Sequence, residues 1–265
     1  MTQPRRLAVL SVSERISSLW NQDEIGYKVH LENNTNKNTR LTVETEAILI
    51  RELQNSQDLE GINLVILDEF HERSKNIDLA LAFLKEAMQL RDDLYVVIMS
   101  ATIDQEKICR YFGGKGNCAF MNIEGRSFPI EIKYEPELCV SQAVIKEAKV
   151  CPGNILVFLP GISEIKKCYE ELQKSDCSDY DLYMLHSSIR LEDQKEVLKK
   201  SERKKIIISS AIAETSLTIN GIKTVIDSGL TRINRINVET GIENLQDRLL
   251  NSIDNVFEKL NQKVI

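Results

Sequence analysis

Residues 64–74 have the sequence Leu-Val-Ile-Leu-Asp-Glu-Phe-His-Glu-Arg-Ser, in which four apolar residues run directly into charged ones. An unbroken apolar run of this length predicts a strand buried on both faces, as the strands of parallel sheets are. In open α/β sheets the chemistry lies just beyond the carboxyl ends of the strands. The adjacent carboxylates of Asp68 and Glu69 are therefore predicted to lie at a functional edge of a parallel sheet.

The residues alone leave two interpretations of this carboxylate pair open. In phosphoryl transfer, the first carboxylate holds a hydrated Mg²⁺ against nucleotide phosphates and the second orients or deprotonates the attacking water. The same pair would also stabilise the N-terminus of a following helix, because negative charge there is favoured by the helix dipole.

Length and composition are typical of a soluble protein of about two domains. Its 42% hydrophobic and 28% charged residues are ordinary for this class. No apolar run approaches the roughly 20 residues of a membrane span and no signal-peptide core is present, so we expect a cytoplasmic protein with no membrane partner. Six cysteines without Cys-x-x-Cys spacing predict reduced thiols. The net charge of −6 argues against coating nucleic acid by bulk charge, but is compatible with a local basic groove.

Other apolar runs predict further core strands. The runs lie at residues 94–99, 154–159, 180–185, 205–210 and 224–229. Between the predicted strands at residues 64–67 and 94–99, residues 75–90 have the apolar spacing of an amphipathic helix. Its inward-facing positions are predicted to be Ile77, Leu81, Leu84 and Met88.

The string at residues 68–74 resembles motif II of the DEAH-box helicases, and its variant here is most similar to the bacterial HrpB-type branch of these ATP-dependent RNA helicases. Other family strings follow in the family's order, over about residues 1–242. They are motif Ia at residues 2–9, Ib at 45–49, III at 100–102, IV at 154–161 and V at 211–219. Ala47 and Ala211 depart from the glycine and asparagine usual at these positions.

The resemblance implies an α/β fold with two RecA-like domains of mainly parallel sheet, both incomplete. The first domain would span residues 1–125 and the second residues 126–242. The apolar spacing of residues 243–265 predicts a terminal amphipathic helix.

The resemblance also implies ATP and Mg²⁺ as cofactors and single-stranded RNA as the partner. Asp68 would coordinate Mg²⁺ through water, and Glu69 would orient the attacking water. His71 would couple to the motif III hydroxyls of Ser100 and Thr102. The residues implied along the nucleic-acid path are Arg5, Arg6, Thr45, Glu46, Ser187 and Thr215. Without that context, Arg5 and Arg6 fit either a phosphate contact near a helix N-terminus or a surface arginine pair.

Two family segments have no counterpart in the 265 residues: the Gly-Lys-Ser/Thr phosphate loop and the arginine-rich motif VI. Both grip the nucleotide in the family, and an arginine finger alone is commonly worth about 10³–10⁵ in rate. We therefore expect a fragment of an HrpB-type helicase that has impaired or no ATPase activity on its own. Sheet edges exposed by a missing strand would make it prone to aggregate.

The competing hypothesis is a non-catalytic module that binds single-stranded RNA or a protein partner. A third hypothesis, an unrelated α/β domain, requires several ordered strings to have arisen by chance.

Overall fold

The computed structural model describes residues 1–123, 129–199, 201–210, 219–236 and 243–249. The chain divides into two compact units, Met1–Gly125 and Arg126–Ile265. Among the described residues, no helix is both long and apolar enough to cross a membrane.

A six-stranded, mainly parallel sheet forms the centre of the first unit. In chain order its strands are β1 (Thr2–Gln3), β2 (Ile25–Val29), β3 (Glu32–Asn34), β4 (Leu41–Thr45), β5 (Leu64–Leu67) and β6 (Tyr95–Ile98). Their order in space is β3-β2-β4-β1-β5-β6, and only the β2–β3 pair is antiparallel. The two-residue strand β1 thus joins the β4 and β5 sides of the sheet.

Helices pack on both faces of this sheet. They are α1 (Arg6–Ser17), α2 (Glu46–Asn55), α3 (Lys75–Leu90) and α4 (Gln105–Tyr111). The packing of α1 on β2 and β4 includes buried Val9, Val29 and Val43. On the other face α2 and α3 pack together over β5, with Ile77 and Leu84 fully buried. The predicted inward face of α3 is confirmed, because its apolar stripe matches the helical period.

One face of β5 and β6 is exposed, so the prediction of a strand buried on both faces is wrong for β5. Val65 is buried, whereas Leu64 is 48% exposed. The parallel register pairs Leu64 with Tyr95, and alternation places Val97 and Met99 on the same side. Tyr95, Val97 and Met99 are 66%, 41% and 37% exposed. We call Leu64, Tyr95, Val97 and Met99 the open face. It arises because α1, the helix on this side, packs on β1, β2 and β4.

Replacing Tyr95 and Val97 together by lysine is expected to reduce self-association of the chain. An exposed apolar strand at a sheet edge is a template for pairing with another chain, and charge on such an edge opposes that pairing. Sedimentation velocity at several protein concentrations checks this. The matched control is Leu79→Lys on α3, where an exposed leucine lies outside the open face. Equal self-association of wild type and double variant would contradict the prediction.

The second unit contains a four-stranded parallel sheet. Its strands are β7 (Asn154–Phe158), β8 (Tyr180–Leu185), β9 (Lys204–Ser209) and β10 (Ile222–Asp227), ordered β10-β7-β9-β8 in space. Its helices are α5 (Val140–Ala148), α6 (Ile162–Gln173) and α7 (Leu191–Leu198). The predicted burial on both faces is confirmed for the inner strands β7 and β9. Their fully buried residues are Ile155, Leu156, Val157, Ile206, Ile207 and Ile208.

An antiparallel hairpin of β11 (Leu230–Ile236) and β12 (Glu243–Leu249) follows β10. The predicted helix over residues 243–265 is therefore wrong for residues 243–249, and residues 250–265 lie outside the described part of the chain. Leu245 and Leu249 have the four-residue spacing of a helix face. However, an unbroken register pairs all seven residues of β12 with β11. Pairing with a neighbouring strand prevails here over the local apolar period.

Candidate functional site

The first carboxylate of the motif II string is held at the carboxyl ends of two adjacent strands. Asp68 directly follows β5, and Gln3 ends β1. The Gln3 side-chain amide donates to Asp68 Oδ2 at 2.7 Å, and the Glu69 backbone N–H donates to Oδ1 at 2.9 Å. Each carboxylate oxygen still has a lone pair for a further donor, such as metal-bound water. Sequence reasoning missed Gln3, because nothing in the sequence indicates that β1 lies beside β5.

A strained turn follows Asp68. Glu69 and Arg73 have positive φ values of 53° and 49°, on either side of the 3₁₀ helix Phe70–Glu72. Left-handed backbone costs about 1–2 kcal/mol per non-glycine residue. The turn is anchored by the Phe70 side chain, which is 3% exposed, and by the Phe70 N–H, which donates to the Met99 carbonyl at 3.1 Å. Packing thus maintains a backbone conformation that these residues would not adopt locally.

Electrostatics bring the Glu69 carboxyl into the range of a general base. Burial raises the pKa of Glu69 to about 7, and the nearby carboxylates of Asp68 and Glu72 add to the rise, opposed by Arg5. His71 Nδ1 lies 3.5 Å from Glu69 Oε2. A carboxyl group with a pKa near neutrality is suited to accepting a proton from water at physiological pH.

The Asp68 carboxylate, with Glu69 beside it, fits an Mg²⁺ that is held through water. A divalent cation would relieve the mutual repulsion that raises the pKa of Glu69. Within the described residues, no group of three or more His, Cys, Asp or Glu is arranged to hold a metal ion directly. Mg²⁺ commonly keeps several waters and takes only one or two protein carboxylates, so such a cage is not required.

The motif III segment is joined to the motif II turn through the backbone. Met99 accepts the Phe70 N–H and donates its own N–H to the Leu67 carbonyl at 2.8 Å. Beyond it, Ser100 Oγ donates to the Thr102 carbonyl at 2.6 Å. The structure therefore brings Ser100 and Thr102 together, and their coupling to His71 stays a prediction.

Two helix N-termini lie side by side at the same edge of the sheet. Arg5 is the N-cap of α1 and Thr45 is the N-cap of α2, while the register pairs Gln3 with Thr45. The Thr45 hydroxyl makes no capping hydrogen bond. Arg5 lies 3.3 Å from Glu72 Oε1, and Arg6 is exposed. Backbone N–H groups and arginines in this arrangement suit phosphate groups.

Glu46 lies in the interior, 4% exposed. Its Oε2 accepts a hydrogen bond from the Ser74 hydroxyl, which in turn accepts the Ile77 N–H at 2.9 Å as the N-cap of α3. Burial raises the pKa of Glu46. The geometry gives Glu46 a part in holding α2 against α3, and its predicted contact with nucleic acid stays a prediction.

The second unit has its own loop at the carboxyl end of β8. Ser187 is exposed there, next to a His186 Nδ1–Ser188 Oγ contact of 2.8 Å. Gln194, which is 5% exposed and was not singled out by sequence reasoning, donates to the carbonyls of His186 and Ile189. Thr215 lies outside the described residues.

Comparisons with known families match both units. Residues 5–110 match the family "DEAD/DEAH box helicase", and residues 139–248 match "Helicase conserved C-terminal domain". The chain is 39% identical to ATP-dependent RNA helicase HrpB of Escherichia coli (strain K12), over 92% of this chain and 32% of HrpB. It is 34% identical to ATP-dependent RNA helicase HrpA of the same organism, over 92% of this chain and 20% of HrpA.

Solved structures agree with these sequence matches. The crystal structure of Escherichia coli DEAH/RHA helicase HrpB superposes with a TM-score of 0.85 and 36% sequence identity, over 98% of this chain and 34% of that one. The predicted α/β fold with mainly parallel sheets, and the resemblance to HrpB-type helicases, are confirmed. The chain spans about a third of the length of HrpB and about a fifth of the length of HrpA.

Proposed function

Because the chain belongs to the DEAD/DEAH box helicase family, we propose that it forms ATP- and RNA-binding parts of an HrpB-type RNA helicase, and that alone it has impaired or no ATP hydrolysis. One observation carries this proposal: a fixed Asp68 carboxylate stands beside a Glu69 whose pKa is raised to about 7. A carboxylate that binds hydrated metal next to one that accepts a proton is the pairing that phosphoryl transfer to water requires.

Each residue of the nucleotide site has a defined task in this proposal. Asp68, oriented by Gln3, would hold water bound to Mg²⁺, and Glu69 would accept the proton of the attacking water. His71, beside Glu69, couples the site to Ser100 and Thr102. Bound Mg²⁺–ATP supplies the reactive phosphoryl group and the charge that neutralises these carboxylates.

The RNA part of the proposal rests on the paired N-termini of α1 and α2. Arg5, Arg6 and Thr45 lie at these two N-termini, where the first backbone N–H groups of a helix have no partner within the helix and suit phosphates irrespective of base sequence. In the second unit, Ser187 and Thr215 are the proposed nucleic-acid contacts, and in the first unit Glu46, at the start of α2, is a further proposed contact. Since the whole chain carries a net charge of −6, binding depends on this local cluster.

The test combines RNA binding with ATP hydrolysis by the purified chain. We expect fluorescence anisotropy to show binding to a labelled single-stranded oligoribonucleotide. Arg6→Ala is expected to weaken that binding by about tenfold through a lost phosphate contact. The matched control is Arg15→Ala, which removes an arginine from the last turn of the same helix. Equal losses in the two variants, or no RNA binding by wild type, would contradict the assigned path.

ATP hydrolysis with and without RNA is measured on the same preparations, with Glu69→Gln as the control. We expect wild type and Glu69→Gln to be equally inactive, because the chain contains no Gly-Lys-Ser/Thr loop to hold the phosphates. RNA-stimulated hydrolysis that disappears in Glu69→Gln would show that the chain grips nucleotide by other groups. RNA binding without hydrolysis would leave the non-catalytic binding module as the activity of this chain alone.

A further inference from the structure

An ion pair joins the N-terminus of α1 to the turn that follows Asp68. The Nη1 atom of Arg5, the N-cap residue of α1, lies 3.3 Å from Oε1 of Glu72, the last residue of the 3₁₀ helix. The two residues are 67 positions apart in the sequence. They meet because β1, which precedes Arg5, pairs with β5, which precedes the turn.

Both side chains of this pair can be reached from solvent. The Arg5 side chain is 25% exposed and the Glu72 side chain is 16% exposed. An ion pair that water can reach contributes little net stability, because water competes for both charges. A second anion that reaches the guanidinium can therefore compete with the Glu72 carboxylate.

The start of α1 attracts negative charge and has none of its own. Its first turn contains no acidic residue, and no side-chain hydrogen bond caps it. Arg5 and Arg6 add their charges to the positive end of the helix dipole. Glu72, which comes from the motif II turn, supplies an anion to this end of the helix. A carboxylate from elsewhere in the fold thus lies beside an arginine that the proposed function assigns to RNA.

We propose that Glu72 sets the RNA affinity of the chain by competing with a backbone phosphate of single-stranded RNA for the Arg5 guanidinium. The inference rests on the proposed function, which places Arg5 on the RNA path. Arg5 exchanges one anion for another, and no covalent bond changes. Arginine binds carboxylates and phosphates alike through charge-assisted hydrogen bonds, so its charge is neutralised in both arrangements.

The two anions exclude one another for an electrostatic reason. If the carboxylate and the phosphate both contacted one guanidinium, two negative charges would lie only a few ångströms apart, where repulsion is strong. Binding of RNA therefore moves Arg5 away from Glu72 and from the turn that contains Asp68 and Glu69. Because coupling is reciprocal, the intact ion pair weakens RNA binding by the same free energy.

The experiment measures the affinity of the full chain for a labelled single-stranded oligoribonucleotide by fluorescence anisotropy. Glu72→Gln is expected to tighten binding about fivefold, because an amide does not neutralise the guanidinium. In an Arg5→Ala background the same change should alter affinity by less than about twofold, because the contested group is gone. The matched control, Glu14→Gln at an exposed glutamate of α1, should stay within about twofold of wild type.

Hydrogen–deuterium exchange of the wild-type chain gives a second readout that needs no variant. Saturating oligoribonucleotide is expected to slow amide exchange at the start of α1. It should also speed exchange in residues 70–74, because the turn loses its contact with Arg5. Slower exchange in both segments would contradict the exchange of partners, even if Glu72→Gln fails to fold.

The outcomes separate this inference from the proposed function. Equal RNA binding by wild type and Glu72→Gln would overturn the inference and leave the RNA path intact. Equal tightening with and without Arg5 would show that Glu72 repels RNA by its charge alone, which also overturns it. An absence of RNA binding in every protein would overturn the RNA path together with the inference. Binding by Glu72→Gln but not by wild type would support the competition.

Discussion

Glu69→Gln is expected to raise the free energy of unfolding of the chain by about 2 kcal/mol at about pH 8. The Glu69 side chain is 19% exposed, and its pKa is raised to about 7 by burial and by the carboxylates of Asp68 and Glu72. Above that pH the folded chain contains a poorly solvated negative charge beside two others. Glutamine has the same shape and removes that charge, so the folded state becomes more stable relative to the unfolded state.

The sign of the pH dependence follows from the raised pKa. Between the reference value of 4.5 and about 7, the folded chain binds more protons at Glu69 than the unfolded chain does. Stability therefore falls as pH rises through this interval and stays low above it. Wild type and Glu69→Gln should be about equally stable near pH 4. As the pH rises through 7, the free energy of unfolding of the variant should increase relative to that of wild type. The difference isolates Glu69, because Glu44, whose pKa is also raised to about 7, is present in both proteins.

Urea unfolding at a series of pH values measures this difference. Glu14→Gln, a change at an exposed glutamate of α1, is the control and should have no such pH-dependent effect. A Glu69→Gln chain that is no more stable than wild type at pH 8 would contradict the electrostatic account of the site. A positive result would mean that the proposed catalytic carboxylate is retained at the expense of stability, as is common for functional sites.

Lys205→Met is expected to lower the free energy of unfolding by about 3 kcal/mol. Lys205 is 4% exposed in β9, and its ammonium group donates to the carbonyls of Val197 at 2.9 Å, Glu196 at 3.4 Å and Lys199. It also lies 5.0 Å from the centre of the Tyr183 ring. Carbonyls in the last turn of a helix lack the usual partners, and here the ammonium group serves as a cap for them, although the Glu196 carbonyl also accepts the Lys199 N–H at 3.3 Å.

Methionine keeps an unbranched side chain of nearly the same length and removes the ammonium donor together with its charge. The buried Val197 carbonyl and the partly buried Glu196 and Lys199 carbonyls would then lose this donor, and an unsatisfied buried polar group costs about 1–3 kcal/mol. The matched control is Lys204→Met on the preceding residue. Its ammonium donates to one carbonyl, that of Cys151, at 2.9 Å, so the expected loss is about 1 kcal/mol. Chemical denaturation measures both, and equal losses would contradict the capping role of Lys205.

Much of the fold was predictable because it follows from local patterns. The apolar run before Asp68, the helical stripe from Ile77 to Met88 and the apolar strand before Pro160 all form as expected. The apolar pattern matches the burial in the helix and in the strand before Pro160, whereas the run before Asp68 forms a strand with one face exposed. The order along the chain of the motifs that resemble those of the family was enough to predict the helicase family.

The candidate site was predictable in its residues but not in its geometry. Asp68 and Glu69 were identified from the sequence, whereas the Gln3 contact that orients Asp68 depends on two strands separated by more than sixty residues. The interior position of Glu46 could not be predicted either. A threonine-glutamate pair at a helix start is normally exposed, and here it is α3, with Ser74 at its N-cap, that covers the glutamate.

The sequence by itself determined the elements and the chemical groups at their ends, since both depend on neighbours along the chain. Only the tertiary structure decided which apolar faces are covered and which carboxylate is desolvated. Tyr95 and Val97 belong to an apolar strand like that of β7, yet they form an open face because α1 packs further along the sheet. Coverage and desolvation are both set by distant elements, and no local pattern encodes the position of those elements.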